Sequence, residues 1–454
     1  MKDWVPTFEN TGAPRYVEIA EAIRRDVASG ALRPGDRLPP QRGLAQEVGL
    51  DYSTISRAYA EAVRRGYIES HVGRGSFVKA LDVAAPDPRR LAEEDPMMNM
   101  PPEPTDPHLI GRMQQGVSHV SANLISLLRY QSVMGGAHDR EIAIDWMQSN
   151  GLPAQSDCVA ITSGAHSSLY AILSLMSDPG LPLLCEDVTY PGIRAIAARL
   201  GVRLIGVKTD EHGMLPDALE TAIRENWPMG LYLNPTFNNP TTTTIPLERR
   251  VALAEVLQRH DLPLIEDDAY AFVASNAPPA MATLIPEQTW HIAGVSKIFG
   301  AGLRLAYTTA PKPELIGAFS QALRAINVMA SPISLALLGH WIEEGVAAEI
   351  QGFVRKEATA RQVLARETLT DCVFQGDDEA YNIWLTLPEG TSRAEIMARM
   401  GSRQIGLMPS DAFTVAGPIQ DAIRVCLGGP IEQSALRSDL IALNDAVARK
   451  DWLG

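Results

Sequence analysis

Disulfide chemistry is almost absent from this chain. Its 454 residues hold four cysteines (Cys158, Cys185, Cys372, Cys426), scattered and without CxxC spacing. That is the pattern of buried reduced thiols, not of a disulfide framework or a structural metal site, and no metal ligand set is expected. Long apolar runs are missing too. No stretch reaches about 18 uninterrupted apolar residues, the length a spanning helix needs. The opening MKDWVPTFEN has no apolar core of a signal peptide. A soluble, cytoplasmic chain with no membrane partner is expected. Basic residues are in the minority, 40 Lys and Arg against 54 Asp and Glu, for a formal net charge of -14; this argues against nucleic-acid binding over the whole surface. There are no internal repeats, and no low-complexity tract beyond a Pro-, Asp- and Glu-rich stretch from Leu81 to about Pro107. What is present is an apolar content of 46%, that of a folded protein, in a chain too long for one ordinary core.

The acid is unevenly spread. Counting side chains from Pro14 to Lys79 gives about +3. Within this stretch YVEIAEAIRRDVAS places Val17, Ile19, Ala20, Ile23 and Val27 on one helical face, and Gly30 stops the helix. A short helix is predicted from Gln41 to Val48, ending at Gly49. Asp51 or Ser53 can cap a third helix that runs to about Arg65. Two strands, Tyr67–Ser70 and Ser76–Val78, flank His71-Val72-Gly73-Arg74-Gly75 as a small wing. A helix that reads DNA carries small polar residues at its N-terminal end and basic residues beside it. Ser53, Thr54 and Arg57 are the candidates for the groove, with Ile55, Ala58 and Val63 packing inward. Arg42 is positioned for a phosphate, and Arg74 at the wing tip for a minor groove.

From about 130 to 310, strand-like runs alternate with helices: Cys158–Thr162, Leu183–Cys185, Leu204–Val207, Gly230–Leu233 and Leu262–Ile265. This rhythm predicts a mostly parallel sheet covered by helices. After about 332, helical patterns give way to Tyr381–Thr386 and Ala422–Leu427, a smaller α+β subdomain. Several joints carry chemistry. Lys297, in SKIFGAGLR, follows Asp267-Asp268-Ala269-Tyr270 by about thirty residues. A lysine to form a Schiff base, an upstream acid to pair with a pyridinium nitrogen and a downstream arginine, Arg304, to take a phosphate are what pyridoxal phosphate requires. Ser163, Gly164 and Ala165 follow a strand and open a helix, an anion cradle. Tyr190 offers a stacking face. Asn239 offers an amide for a ring hydroxyl, which Tyr270 can also reach. Each of these pieces is ordinary alone, as a turn tyrosine, an Asn-Pro turn or a surface lysine; six in this order are not.

From about residue 97 to the end, TSGAH, TYPG, PTFNNPT, EDDAY, SKIFGAGLR and AIRVCLGG make the chain resemble a fold-type I aminotransferase of the aspartate aminotransferase superfamily. The resemblance implies the same cofactor roles for Asn239, Asp267, Tyr270, Lys297 and Arg304. It matches Arg424 to the arginine that grips a substrate carboxylate, and Tyr130, ahead of Gly135-Gly136, to a tyrosine that reaches the cofactor phosphate of a neighbouring subunit in a homodimer. Gly294 stands where the family usually has a phosphate-binding serine, and Thr242 where it usually has glycine. The stretch from about 14 to 79 resembles the winged helix of the GntR family, through LPPQRGLA and HVGRGSFV; Tyr52 stands where arginine is common there. Together the halves resemble the MocR subgroup of GntR regulators.

The expected organisation is a winged helix-turn-helix head over 10–80, a linker over 81–96, and an aminotransferase-like domain over 97–454, with a large subdomain at about 130–330 and a small one at about 331–454. Met97 to Pro104 is expected to dock on the large domain. The expected function is a pyridoxal phosphate-dependent regulator that binds double-stranded DNA and responds to the cofactor, an amine or an amino acid. The alternatives are a working aminotransferase tethered to DNA by its head, and an aminotransferase whose N-terminal module binds no DNA.

Overall fold

The computed structural model describes residues 4–8, 13–28, 31–71, 74–79, 95 and 97–448. Gly30, Val72, Gly73 and nearly all of the expected linker lie outside the described residues. Contacts divide the chain into two compact units. One is 1–92 with 104–122 and 344–346; the other is 93–103 with 123–343 and 347–454.

The head unit contains α1 (Arg15–Ala28), α2 (Gln41–Val48), α3 (Tyr52–Arg64), β1 (Ile68–His71) and β2 (Gly75–Val78). Gly49 ends α2 in the left-handed conformation at φ 67°, and Asp51 caps α3 by accepting from the Thr54 N–H. α3 buries Ile55, Ala58, Tyr59 and Ala62, a 3.6-residue stripe that meets Ile19, Ile23, Leu38, Leu44 and Tyr67 in one core. Val63, expected inside, is 41% exposed; Tyr59 and Ala62 fill the stripe, and Val63 falls one residue off it. β1 and β2 pair antiparallel from Ile68↔Val78 to His71↔Gly75.

A further helix, α4 (Pro107–Ser121), groups with this unit by its contacts. Asp106 caps it and pairs with Arg24 at 3.5 Å. The ring of His108 packs at 4.3 Å from that of Tyr67. Burial lowers the His108 imidazole to about 4, with Arg112 and Arg24 adding to the effect and Asp106 opposing it. In the unfolded chain a histidine titrates near 6.5. Between these values the unfolded state binds more protons, so stability is fully present above about 6.5 and is lost as pH falls toward 4. Replacing His108 by Gln should flatten the acid side of a pH–melting-temperature profile between pH 6.5 and 4; an unchanged slope would detach the effect from this ring.

The larger unit is built on a seven-stranded sheet. Its strands are β3 (Val159–Thr162), β4 (Leu183–Glu186), β5 (Leu204–Val207), β6 (Gly230–Leu233), β7 (Leu264–Asp268), β8 (Thr289–Gly294) and β9 (Ala306–Thr309), in the order β3-β9-β8-β7-β6-β4-β5. Every pair not involving β9 is parallel; β9 runs antiparallel to β8 and β3. The parallel strands are buried along their whole length, except β5 at the edge, which is why they read as apolar runs without alternation. Their C-terminal ends share one edge, where open α/β sheets collect ligand-binding loops. The antiparallel β9 starts at that edge, which places the preceding Arg304 there as well.

A smaller subdomain follows. Helix α5 (Val346–Thr368) leads to an antiparallel sheet of β10 (Val373–Gln375), β11 (Asn382–Thr386), β12 (Leu407–Pro409) and β13 (Ala422–Cys426), ordered β10-β11-β13-β12. Arg424 lies opposite Trp384 and Met408 on its neighbours. Among the described residues no single helix is long and apolar enough to cross a membrane.

Candidate functional site

The loops after the parallel strands carry the site. Asp267 sits near the C-terminal end of β7 and is 3% exposed. Its Oδ2 accepts from the Tyr232 hydroxyl at 2.8 Å, while its Oδ1 is buried without a partner. Leaving such an atom unpaired costs on the order of 1–3 kcal/mol. Burial pushes the carboxyl up to about 6; the Tyr232 hydrogen bond and the Lys297 charge resist, and Asp268 adds to the rise. A buried carboxylate oxygen of this kind calls for a donor or a cation.

Lys297 follows β8, and its Nζ lies 5.9 Å from the centre of the Tyr270 ring. Burial lowers the amine to about 8, the positive charge of Arg424 adds to the fall, and Cys426 and Asp267 oppose it. An amine poised there is nucleophilic near neutral pH. Tyr270 is buried between Phe237 and Tyr381. The Tyr381 hydroxyl donates to the Lys297 carbonyl at 2.9 Å.

The cradle after β3 takes its shape from glycine. Gly164 has φ 98° and caps the helix Ala165–Met176. A Cβ on it would lie 3.4 Å from Nη2 of Arg304, so the guanidinium rests over the helix N-terminus, where first-turn amides point outward. Ser163 and Ala165 flank it, the Ser163 hydroxyl donating to the Met329 carbonyl at 3.2 Å. The Tyr190 hydroxyl meets Nε2 of His166 at 2.5 Å. A Cβ at Gly192 would lie 2.3 Å from the Tyr190 ring, so the Tyr-Pro-Gly run lets the ring fold back over its own helix. Gly294 leaves ordinary contact space, 3.7 Å to the Ala269 Cα.

Asn239 is 6% exposed; its Oδ1 accepts from Nη1 of Arg424 at 3.0 Å, and its N–H donates to Asn234 Oδ1 at 2.8 Å. These bonds leave the side-chain amide nitrogen unengaged. Asn234 also donates to the Asp267 carbonyl at 2.6 Å. Arg250, fully buried, donates to the carbonyls of Pro235, Ile245, Pro278 and Pro279 and to the Thr236 hydroxyl, which fixes the loop carrying Asn239. Thr242 takes the glycine-like conformation of that turn at φ 62°. Tyr130 stands 86% exposed, not buried among these residues. Tyr232, Asn234 and Arg250 escaped the sequence reading, since their partners come together only in three dimensions. A tyrosine inside the apolar strand Gly230–Leu233 was the available signal for the first.

In the head, Arg42 is exposed at the start of α2, with its guanidinium 5.9 Å from the Tyr52 ring centre. Arg74 is exposed on the wing. The hydroxyls of Ser53 and Thr54 both donate to Asp51, which holds that carboxyl well below the usual range. Both hydroxyls are thus engaged within the helix cap. Arg57 lies 4.3 Å over the ring of Tyr16, turned toward α1. Arg37, which the sequence reading passed over, lies against Gly75: a Cβ there would be 2.9 Å from its Nε. Arg37, Arg42, Tyr52, His71 and Ser76 line one groove of about 540 Å³.

The model for aminotransferase class I and II matches residues 109–435, and the model for bacterial regulatory proteins of the gntR family matches 15–78. The chain belongs to the aminotransferase class I and II family, and it carries a GntR head. This is the architecture of the MocR-type regulators. An uncharacterized HTH-type transcriptional regulator, YdeF of Bacillus subtilis, is 28% identical over 97% of this chain and 96% of its own length. The HTH-type pyridoxine biosynthesis transcriptional regulator PdxR of Corynebacterium glutamicum is 27% identical over 80% of each chain. Among solved structures, the α-aminoadipate aminotransferase LysN of Thermus thermophilus superposes with a TM-score of 0.69 at 22% identity, over 77% of this chain and 90% of its own, a likeness of fold. The family generally uses pyridoxal phosphate.

Proposed function

We propose that this protein is a pyridoxal phosphate-dependent transcriptional regulator whose aminotransferase-like domain senses the cofactor together with an amino compound. The observation that carries the reading is the buried, unpartnered Oδ1 of Asp267 in the same pocket of charge as the Lys297 amine. Lys297 would hold the aldehyde, Asp267 the ring nitrogen, Asn239 the ring hydroxyl, and Gly164, Ala165 and Arg304 the phosphate. When bound, the cofactor supplies an electron sink for bonds at an amino-bearing carbon. Arg424, fixed by Asn239, orients a carboxylate, and Lys297 holds or moves a proton. Homodimerisation is supported by Ile125, Leu128 and Tyr130, which are 73%, 66% and 86% exposed in one short stretch. PdxR, named for control of pyridoxine biosynthesis, supports the cofactor as signal.

Any ligand that binds only the folded state stabilises it, by about 2.7 kcal/mol at a hundred times its Kd. Pyridoxal phosphate should raise the melting temperature. Asp267→Asn, which keeps the shape but removes the charge, should lose at least about tenfold in affinity and most of that rise; an equal rise in both proteins counts against the pairing.

The retained Arg424–Asn239 pair favours the second reading, a working aminotransferase. Turnover of amino acids with a keto acid is expected to be far below the roughly 10 per second of a typical enzyme. Rates of that order in a steady-state assay would promote the second reading over the first.

A further inference from the structure

The site carries an occupant from its own chain. The Lys297 Nζ donates to the main-chain carbonyl of Asn99 at 2.5 Å, and Nη2 of Arg424 donates to the carbonyl of Met97. The amine that would hold the aldehyde and the guanidinium that would grip a carboxylate are thus both engaged by neutral backbone oxygens two residues apart. Asn99 itself is 3% exposed. Its Nδ2 donates to the Tyr270 hydroxyl at 2.8 Å and to Asn382 Oδ1 at 2.9 Å, and Asn382 is in turn held by the Pro240 carbonyl at 3.1 Å.

On one side of this anchor the strap is pinned. The Gly429 N–H donates to the carbonyls of Met100 and Pro101 at 3.1 and 3.2 Å. The Met100 carbonyl lies so close to Gly428 that a Cβ there would be 1.8 Å from it. On the other side the bonds of the described residues, beyond the one from Arg424, are local: the Met97 and Met98 N–H groups donate to Oδ1 and the carbonyl of Asp95 at 3.1 and 3.0 Å, and Met97 and Met98 are 47% and 55% exposed. In sequence, that looser end continues into the stretch leading back to the head.

We infer that Met97–Met100 is a displaceable internal ligand of the amino-acid subsite, latched by the Asn99 side chain, and that an α-amino carboxylate effector must lift it to bind. The inference rests on the proposed function for the identity of the effector. The physical argument is one of unequal partners. A carboxylate can pair with a guanidinium through two parallel bonds between opposite charges, whereas the neutral Met97 carbonyl offers a single uncharged acceptor. An effector therefore wins Arg424 from Met97. The Lys297 amine, for its part, attacks an aldehyde only after leaving the Asn99 carbonyl. The apparent affinity of the site is its intrinsic affinity reduced by the fraction of molecules whose strap is lifted. Loosening the latch should therefore tighten binding, whereas a residue that merely completes the site should weaken binding when lost.

The test uses the full-length protein without cofactor and maleate as the probe, a dicarboxylate with no amine to react. Calorimetric titration of Asn99→Ala should give a maleate affinity about tenfold higher than wild type; an equal or lower affinity overturns the strap. Should Asn99→Ala fail to fold, the wild type decides. The backbone amides of Met98 to Met100 should exchange with deuterium at least tenfold faster with saturating maleate, and unchanged or slower exchange overturns the proposal. Absorbance of the wild type with added pyridoxal phosphate, read separately, shows whether the cofactor reading itself stands.

Discussion

A Lys297→Ala protein incubated with pyridoxal phosphate and desalted is expected to be colourless, while the wild type stays yellow, absorbing near the visible edge. The whole signal is at stake, because among the site residues only Lys297 brings an amine to the aldehyde. The environment of that amine adds a second, quantitative signature. Its value near 8 arises from burial and from the charge of Arg424. Below that value the protonated amine dominates, so the rate of cofactor capture should climb roughly tenfold per pH unit from pH 6 toward 8 and level off above it. Arg424→Gln removes the neighbouring cation that helps lower the amine and should move the plateau to higher pH. Stopped-flow absorbance across pH 6 to 9.5 measures all of this. A wild type that takes up no colour, or a Lys297→Ala protein that colours equally, would remove the cofactor from the site.

Why the candidate site residues stood out in the sequence follows from the sheet. Parallel strands end at one edge, so each joint (Ser163-Gly164, Tyr190, Asn239, Asp267, Lys297) appears in the sequence as a short polar or glycine-bearing break after an apolar run, and the fold then gathers them. Arg304 belongs for a different reason, the reversal of β9, which the polar run Ala306–Thr309 does not announce. Residues that act through contacts distant in sequence left no such mark. Asn99 meets Tyr270 and Asn382 across 171 and 283 positions, and Tyr232 meets Asp267 through a hydroxyl that looks like any strand tyrosine. The head shows the complementary failure. Helical periodicity located α3 and its cap, but the competition for hydroxyls at Asp51, the stacking of Arg57 on Tyr16 and the outward turn of Val63 depend on exact rotation about the helix axis, which pattern alone fixes only to within a residue.

Binding of the full-length protein to its own upstream DNA should weaken about a thousandfold between 50 and 200 mM salt. The reasoning begins with charge. The chain as a whole is acidic, at -14, so association depends on the few cations that the head presents, and each phosphate they neutralise contributes about 0.9 to the log–log salt slope. Arg37, Arg42 and Arg74 in each of two heads would make about six such contacts, a slope near -5. Arg42 stands clear at the start of α2 with Tyr52 beside it, and no acidic side chain pairs with it among the described residues. Arg42→Ala should therefore flatten the slope by about one unit per head and weaken binding to all sequences alike, the mark of a phosphate contact and not of base reading. Arg37 differs, because Gly75 holds it at the mouth of the groove between α3 and the wing. If it reads a base edge, Arg37→Ala changes which sequences are preferred by about 1–3 kcal/mol at one position. Fluorescence anisotropy over a salt series, with wild type and both variants on matched and scrambled duplexes, separates the two roles. A wild-type slope near zero would leave the head without an electrostatic grip on DNA and would return the chain to the enzymes.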